Sequence, residues 1–151
     1  MNLTSSDNYF EDFTVGQKIR HARGTTIDEV ENQLLTKLVM NSAQAHWNEA
    51  LMEKSPYKQR LVFGFITASM VIGLATQDTA ENAIKELGLD KLKFRKPVFH
   101  GDTVYAFTEV LSTAPTDQGG VVNFKHWGVN QKDEIVFEGE RSVLLKRREN
   151  V

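Results

Sequence analysis

The chain has 151 residues, of which 40% are hydrophobic and 25% are charged, and its formal net charge is −2. This length supports one domain with a proper core but not two of ordinary size. The small net charge gives no reason to expect nucleic acid or an acidic membrane as a partner. The chain has no cysteine, which excludes disulfide and thiolate chemistry and fits a cytoplasmic protein.

Neither a membrane span nor an export signal is predicted. No segment reaches the run of about 18 apolar residues that a membrane helix needs, and residues 1–12 are polar and acidic, unlike a signal peptide. We expect a single domain over residues 1–151, with only residues 1–7 and 147–151 loose.

The first forty residues predict a lead-in, a strand and a helix. Residues 9–16 form an aromatic lead-in that turns at Gly16, and residues 18–25 form a strand. Thr26 and Glu29 have the spacing of a capping box at a helix start. Apolar residues then follow at helical spacing and predict one apolar face: Ile27, Val30, Leu34, Leu35, Leu38 and Val39.

A second helix is predicted to lie in the core. Residues 40–60 mix helical and loop character, and Pro56 ends a helix predicted over residues 46–54. The segment from Gly64 to Leu74 is apolar nearly all round, which predicts a helix buried on most sides. The chain becomes polar over residues 77–86, as expected of a helix that runs out toward solvent.

The last 65 residues predict an antiparallel meander. Segments rich in Val, Phe, Tyr and Thr alternate with turn-forming residues, and they cover residues 91–99, 103–111, 121–129 and 134–145. One buried helix before such a meander predicts an α+β fold in which the sheet wraps around the helix. Its sheet edges favour dimerisation.

Four segments resemble the MaoC-like dehydratases, which include the (R)-specific enoyl-CoA hydratases and have the hot-dog fold. Residues 9–16 resemble the opening of that family, and residues 41–46 have the spacing of its D-x-N-P-x-H active-site motif. Gly64 with the apolar run resembles the start of its central helix. Residues 97–103 resemble its P-V-x-x-G-D-T motif. Together the matches span about residues 9 to 145.

The resemblance implies hydration of a trans-2-enoyl-CoA to a 3-hydroxyacyl-CoA of (R) configuration, or the reverse dehydration. The active-site motif departs from the family, because its Asp, Asn and Pro fall on Asn41, Ala43 and Gln44, and only His46 is unchanged. An amide cannot act as a base near neutral pH. The departure at Asn41 suggests a nonstandard substrate, such as a branched or carboxylated enoyl-CoA.

The resemblance implies catalytic roles for Asn41, His46 and Gly64. An imidazole exchanges protons near neutral pH, so His46 is the candidate proton shuttle; alternatively it only hydrogen-bonds a loop. Gly64 is the candidate N–H donor to the thioester oxygen, and a tight helix entry also requires a glycine. Asn41 either orients the water or ends a helix in the left-handed conformation. Glu49 either supplies the missing carboxylate or is solvated.

The expected substrate-binding residues lie around Gly64 and in a basic cluster. Phe63 and Phe65 flank Gly64. Arg95 and Lys96, with the nearby lysines 91 and 93, could bind the phosphates of CoA, although a charged run on a strand is more often a solvated face.

We expect no cofactor other than the CoA of the substrate and no metal, because the four histidines have no paired ligand spacing. The expected partners are an acyl-CoA thioester and a second copy of the chain. Two alternatives remain open. A hot-dog thioesterase is disfavoured because no acidic residue follows Gly64 before Asp78. A non-catalytic acyl-CoA-binding subunit would explain Asn41.

Overall fold

The computed structural model describes residues 8–148. It has strand β1 (Lys18–Thr26), helices α1 (Glu29–Leu38), α2 (Glu49–Met52) and α3 (Gly64–Thr79), and strands β2 (Ala83–Phe94), β3 (Thr103–Pro115), β4 (Gly120–Val129) and β5 (Ile135–Leu145). Single 3-10 turns, Phe10–Asp12 and Gln44–His46, precede β1 and α2.

The strands form one antiparallel sheet in the order β1-β3-β4-β5-β2. Buried residues alternate with partly exposed ones along β3, β4 and most of β5, so one face of the sheet carries the core. The meander of β3, β4 and β5 confirms three of the four predicted strands. The fourth, predicted over residues 91–99, is confirmed only at residues 91–94, because β2 ends at Phe94 and residues 95–102 form a loop.

Helix α3 packs on the buried face of this sheet. Its buried residues Ile66 and Val71 share one core cluster with Val104, Val136 and Phe137 of the strands. The predicted buried helix is therefore confirmed. The expectation that it continues toward solvent over residues 77–86 was wrong, because α3 ends at Thr79 and β2 begins at Ala83.

The lead-in, residues 9–16, packs onto a second core cluster, which contains Phe13 and Phe124. Phe13 is buried and meets the ring of Phe124 edge-on, with the centroids 5.1 Å apart. Gly16 has a φ of +88°, a conformation that glycine adopts at little cost, and the predicted turn lies there.

Helix α1 is present, but it buries its polar side and exposes its apolar side, the reverse of the usual arrangement in a surface helix. Its buried residues are the polar Asn32 and Thr36, whereas Val30, Leu34 and Leu38 are 72%, 62% and 72% exposed. The predicted apolar face therefore points away from the core of the chain.

The ends of the short helices also differ from the sequence predictions. The capping box at the start of α1 uses Asp28 and Glu31, while the Thr26 hydroxyl pairs with that of Thr103. In place of one helix over residues 46–54 the chain forms a 3-10 turn and the four-residue α2. The left-handed residue after α1 is Met40, with a φ of +57°, and not Asn41.

The predicted loose ends lie mostly outside the described residues. Arg147 is one residue of those ends that the structure describes, and it is bonded: its Nε donates to the carbonyl oxygen of Gly119 at 3.0 Å. Among residues 8–148, none of the helices is long and apolar enough to cross a bilayer.

Candidate active site

A cavity of about 550 Å³ opens beside the first turn of α3. His46, Gly64 and Thr67 line it together with aromatic and aliphatic side chains. Five of the predicted site residues belong to this lining besides His46: Phe63, Gly64, Phe65, Arg95 and Lys96. The structure therefore brings together the turn that carries His46, the start of α3 and the loop after β2.

The imidazole of His46 is fixed by a backbone carbonyl. His46 Nδ1 lies 3.0 Å from the carbonyl oxygen of Leu61. A carbonyl oxygen only accepts hydrogen bonds, so Nδ1 carries a proton, and in the neutral ring Nε2 holds the free electron pair. The ring also contacts that of Phe63, with the centroids 5.4 Å apart. The arrangement leaves Nε2 as the basic atom of His46, a residue that lines the cavity.

Helix α1 holds the segments on both sides of the imidazole. Asn32 Nδ2 donates to the carbonyl oxygens of His46 and Leu61, each at 3.3 Å, and Asn32 Oδ1 accepts from the N–H of Phe63 at 3.0 Å. Gln33 Nε2 also donates to the carbonyl of His46 at 2.6 Å. Asn32 is 1% exposed, so its polar contacts are with protein atoms and fix the loop geometry.

Gly64 is the first residue of α3. The first N–H groups of a helix have no partner within the helix and lie at the positive end of its dipole. A Cβ at Gly64 would lie 2.9 Å from two ring atoms of Phe94. Glycine at this position therefore lets the ring of Phe94 approach the helix start.

Arg95 and Lys96 lie at the exposed side of the cavity, and each is ion-paired. Arg95 Nη2 lies 2.6 Å from Glu138 Oε1, and Lys96 Nζ lies 2.8 Å from Glu134 Oε1. The hydrogen bond from Arg95 lowers the pKa of Glu138, and the hydrogen bond from Lys96 lowers the pKa of Glu134. The two carboxylates thus stay ionised near neutral pH and hold the cations beside the cavity.

Asn41 and Glu49 do not line the cavity. Asn41 Oδ1 accepts the N–H of Ala43 at 2.8 Å, within its own loop. Glu49 Oε2 lies 2.5 Å from Arg60 Nε, and Arg60 also pairs with Glu29. The carboxylate of Glu49 is therefore neutralised by an arginine on the far side of the His46 turn.

A separate polar row crosses the core under the C-terminal half of α3. Asp78 Oδ2 lies 2.7 Å from His21 Nδ1, and His21 Nε2 lies 2.7 Å from Thr108 Oγ1. Thr108 Oγ1 in turn lies 2.8 Å from His126 Nδ1. Burial, with smaller effects from Arg141 and His21, lowers the pKa of His126 from 6.5 to about 3.

Sequence reasoning missed Asn32 and Thr67, which contact the site from inside the core. No signal in the sequence marked Asn32, since six of the ten residues of α1 are polar or charged. None marked Thr67 either. Across residues 8–148, no group of three or more His, Asp or Glu side chains is arranged to hold a metal ion.

The sequence and the fold are similar to those of proteins described as hydratases. A family model described as mesaconyl-CoA hydratase matches residues 3–147. The beta-methylmalyl-CoA dehydratase of Chloroflexus aurantiacus is 34% identical over 153 residues, 97% of this chain and 42% of that protein. The (R)-specific enoyl-CoA hydratase of Rhodospirillum rubrum is 32% identical over 142 residues, 93% of this chain and 94% of that protein.

A protein of Mycobacterium tuberculosis with a double hot-dog fold superimposes with a TM-score of 0.83 at 21% identity, over 95% of this chain and 45% of that one. The fold is therefore the expected hot-dog fold. The chain belongs to the mesaconyl-CoA hydratase family of MaoC-like proteins. It spans less than half the length of the Chloroflexus relative and of the double hot-dog protein.

Proposed function

We propose that the protein adds water reversibly to a trans-2-enoyl-CoA thioester and forms a 3-hydroxyacyl-CoA. The observation that carries the proposal is the imidazole of His46, fixed through Nδ1 in a cavity that also contains the start of α3. A base and a helix N-terminus in one cavity suit a reaction that moves a proton while negative charge develops on an oxygen.

In the proposed reaction His46 Nε2 takes a proton from water as the water oxygen bonds to C3. The electron pair of the double bond moves toward the thioester oxygen, and the N–H of Gly64 stabilises the resulting enolate. His46 Nε2 then returns the proton to C2, so one water is added and nothing else is consumed. Preorganised donors of this kind are worth about 3–4 kcal/mol each.

The remaining predicted residues would bind the rest of the substrate. Phe63 and Phe65 would contact the acyl and pantetheine portions, and Arg95 and Lys96 would attract the CoA phosphates. The role of Asn41 in orienting water stays a prediction. It would require Asn41 Oδ1, which accepts the N–H of Ala43, to contact water instead. A carboxylated or branched enoyl-CoA is proposed because the matching family model and relatives carry such names.

We also propose that two copies of the chain associate, since one copy has less than half the length of the double hot-dog relative. Strand β2 lies at an edge of the sheet, and Ile84, Leu87 and Leu89 on it are 45% to 53% exposed.

Light scattering should give the mass of a dimer. Replacing Leu87 and Leu89 together by lysine should give a monomer, whereas Val15→Lys, an equally exposed control, should not; a monomeric wild type would refute the proposal.

The decisive assay compares crotonyl-CoA with mesaconyl-type thioesters and follows two signals. Hydration removes the absorbance of the conjugated double bond without releasing a thiol. A thioesterase would release thiol, and a non-catalytic binding subunit would change neither signal. Loss of absorbance without thiol supports hydration, and either of the other results rejects it.

A further inference from the structure

Thr67 combines a buried, unpaired hydroxyl with a place in the lining of the His46 cavity. Thr67 lies one helical turn after Gly64, lines the cavity and is 2% exposed. Its Oγ1 has no hydrogen-bond partner among the described residues. Leaving a buried hydroxyl unpaired costs about 1–3 kcal/mol, so such a group in a cavity calls for an explanation.

The same helix shows what an ordinary buried threonine does. Thr76 Oγ1 donates to the carbonyl of Ile72, and Thr79 Oγ1 donates to the carbonyl of Ala75, both at 2.7 Å. These bonds run back four residues along the helix. The corresponding carbonyl for Thr67 is that of Phe63, which accepts the N–H groups of Ile66 and Thr67 but not the hydroxyl. The Thr67 hydroxyl thus lacks the partner that the other two threonines have.

The proposed hydration needs a second contact for the reacting water. A base takes one proton of the water, and another polar atom must hold the remaining hydrogen so that the oxygen faces C3. The family carboxylate is absent, since its position is Asn41, whose Oδ1 is engaged by Ala43. Glu49 is paired with Arg60. Neither side chain lines the cavity.

We infer that Thr67 is the residue that holds the reacting water, an inference that rests on the proposed hydratase function. The water donates one hydrogen to His46 Nε2 and the other to Thr67 Oγ1. When its oxygen bonds to C3, the first hydrogen leaves as a proton to His46 and the second stays on the new hydroxyl. The proton of Thr67 itself does not move, so the residue positions the water and exchanges nothing.

The test compares Thr67→Val, which keeps the shape and removes the hydroxyl, with Thr67→Ser, which keeps the hydroxyl. Thr67→Val should lower kcat by about 10²-fold, the order of loss that follows when a reactant is misplaced, and KM should change less than about threefold. Thr67→Ser should keep most of kcat. Thr79→Val is the matched control, because its hydroxyl is bonded within the helix, and its kcat should stay at the wild-type value.

Stability separates this role from a structural one. Thr67→Val removes an unpaired buried hydroxyl and should be at least as resistant to urea as the wild type, whereas Thr79→Val should be less resistant. A Thr67→Val enzyme with wild-type kcat overturns the inference. So does a variant in which only KM rises, since that result indicates contact with the acyl group.

Failure of the proposed function has a different signature. A wild-type protein that hydrates none of the thioesters rejects hydration but leaves the water site open to a direct test. A high-resolution crystal structure should contain a water within about 3.2 Å of Thr67 Oγ1, and the Thr67→Val structure should lack it. A dry Thr67 in the wild type overturns the inference, whatever the activity.

Discussion

His46 combines one fixed ring nitrogen with one available nitrogen. The Leu61 carbonyl that binds Nδ1 also accepts from Asn32 Nδ2, so removal of the imidazole does not leave that carbonyl unpaired. The site and the local fold therefore depend on His46 to different degrees, and a substitution should separate the two.

We expect His46→Ala to lower the rate of hydration at least about 100-fold, because general acid–base groups contribute about 10²–10⁴-fold. The unfolding midpoint should change little. Steady-state kinetics and urea unfolding measure the two effects. His100→Ala is the control, because His100 is half-buried outside the cavity and should leave the rate unchanged. A His46→Ala enzyme with normal turnover would remove His46 from the mechanism.

The sequence was sufficient to select His46 and Gly64, which line one cavity, because motif spacing marks the first and the following apolar run marks the second. Their catalytic roles stay predictions. The sequence was not sufficient for Asn32 or Thr67. Asn32 lies in a helix whose apolar residues suggested the buried face, and only the tertiary structure shows that its polar side is the buried one. Thr67 looks like any core threonine until its missing hydrogen bond is compared with those of Thr76 and Thr79.

At the scale of elements, α1 supports the site with its polar face. The bonds of Asn32 join the His46 turn, the carbonyl of Leu61 and the N–H of Phe63. The outward residues of the same helix make no such contacts. The inner face should therefore be sensitive to substitution, and the outer face should be tolerant.

A pair of substitutions on α1 tests this orientation. Asn32→Ala should lower the free energy of unfolding by about 1–3 kcal/mol, because it leaves the buried N–H of Phe63 without its acceptor, and it should lower activity as well. Leu34→Ser, two residues away on the exposed side, should change stability by less than about 0.5 kcal/mol. Denaturant titration measures both. Equal losses for the two variants would contradict the orientation.

The elements whose type depends on local pattern agree with the sequence predictions, and those set by pairing do not. The all-round apolar run of α3 and the three strands of the meander were predictable from periodicity. Strand β2 was missed at residues 83–90 because its exposed residues, among them Lys85, Glu86 and Asp90, do not alternate as a half-buried strand does. Its partner β5 determines its conformation.

For the molecule as a whole, we expect the buried polar row to contribute to the response to acid. His126 is 1% exposed and lies on β4, and the row connects it through β3 and β1 to Asp78 of α3. Since its pKa is lowered to about 3 in the folded protein, His126 remains neutral there while the unfolded chain takes up a proton near pH 6.5. Its effect on stability is therefore absent above that pH and unfavourable below it.

We expect this residue alone to lower the free energy of unfolding by about 2.3 kcal/mol between pH 6.5 and pH 4.5, because the slope rises from about 0.7 to about 1.4 kcal/mol per pH unit over that range. Urea titrations at pH 6.5 and pH 4.5 measure this loss. The loss of unfolding free energy between the two pH values should be smaller by this amount in His126→Phe than in the wild type. His100→Phe serves as the control and should keep the wild-type slope. An unchanged slope in His126→Phe would show that His126 is not the acid-sensitive group.

The carbonyl of Leu61 has one more consequence, for stereochemistry. In the proposed hydration, a ring fixed at Nδ1 would not turn over between the two proton transfers, so the nitrogen that deprotonates the water would also protonate C2. Hydroxyl and hydrogen would then enter from one side of the planar enoyl group, a syn addition. Hydration in D₂O should yield a single diastereomer with this relation, read from the proton coupling constant, whereas an anti product would require a second acid on the opposite side.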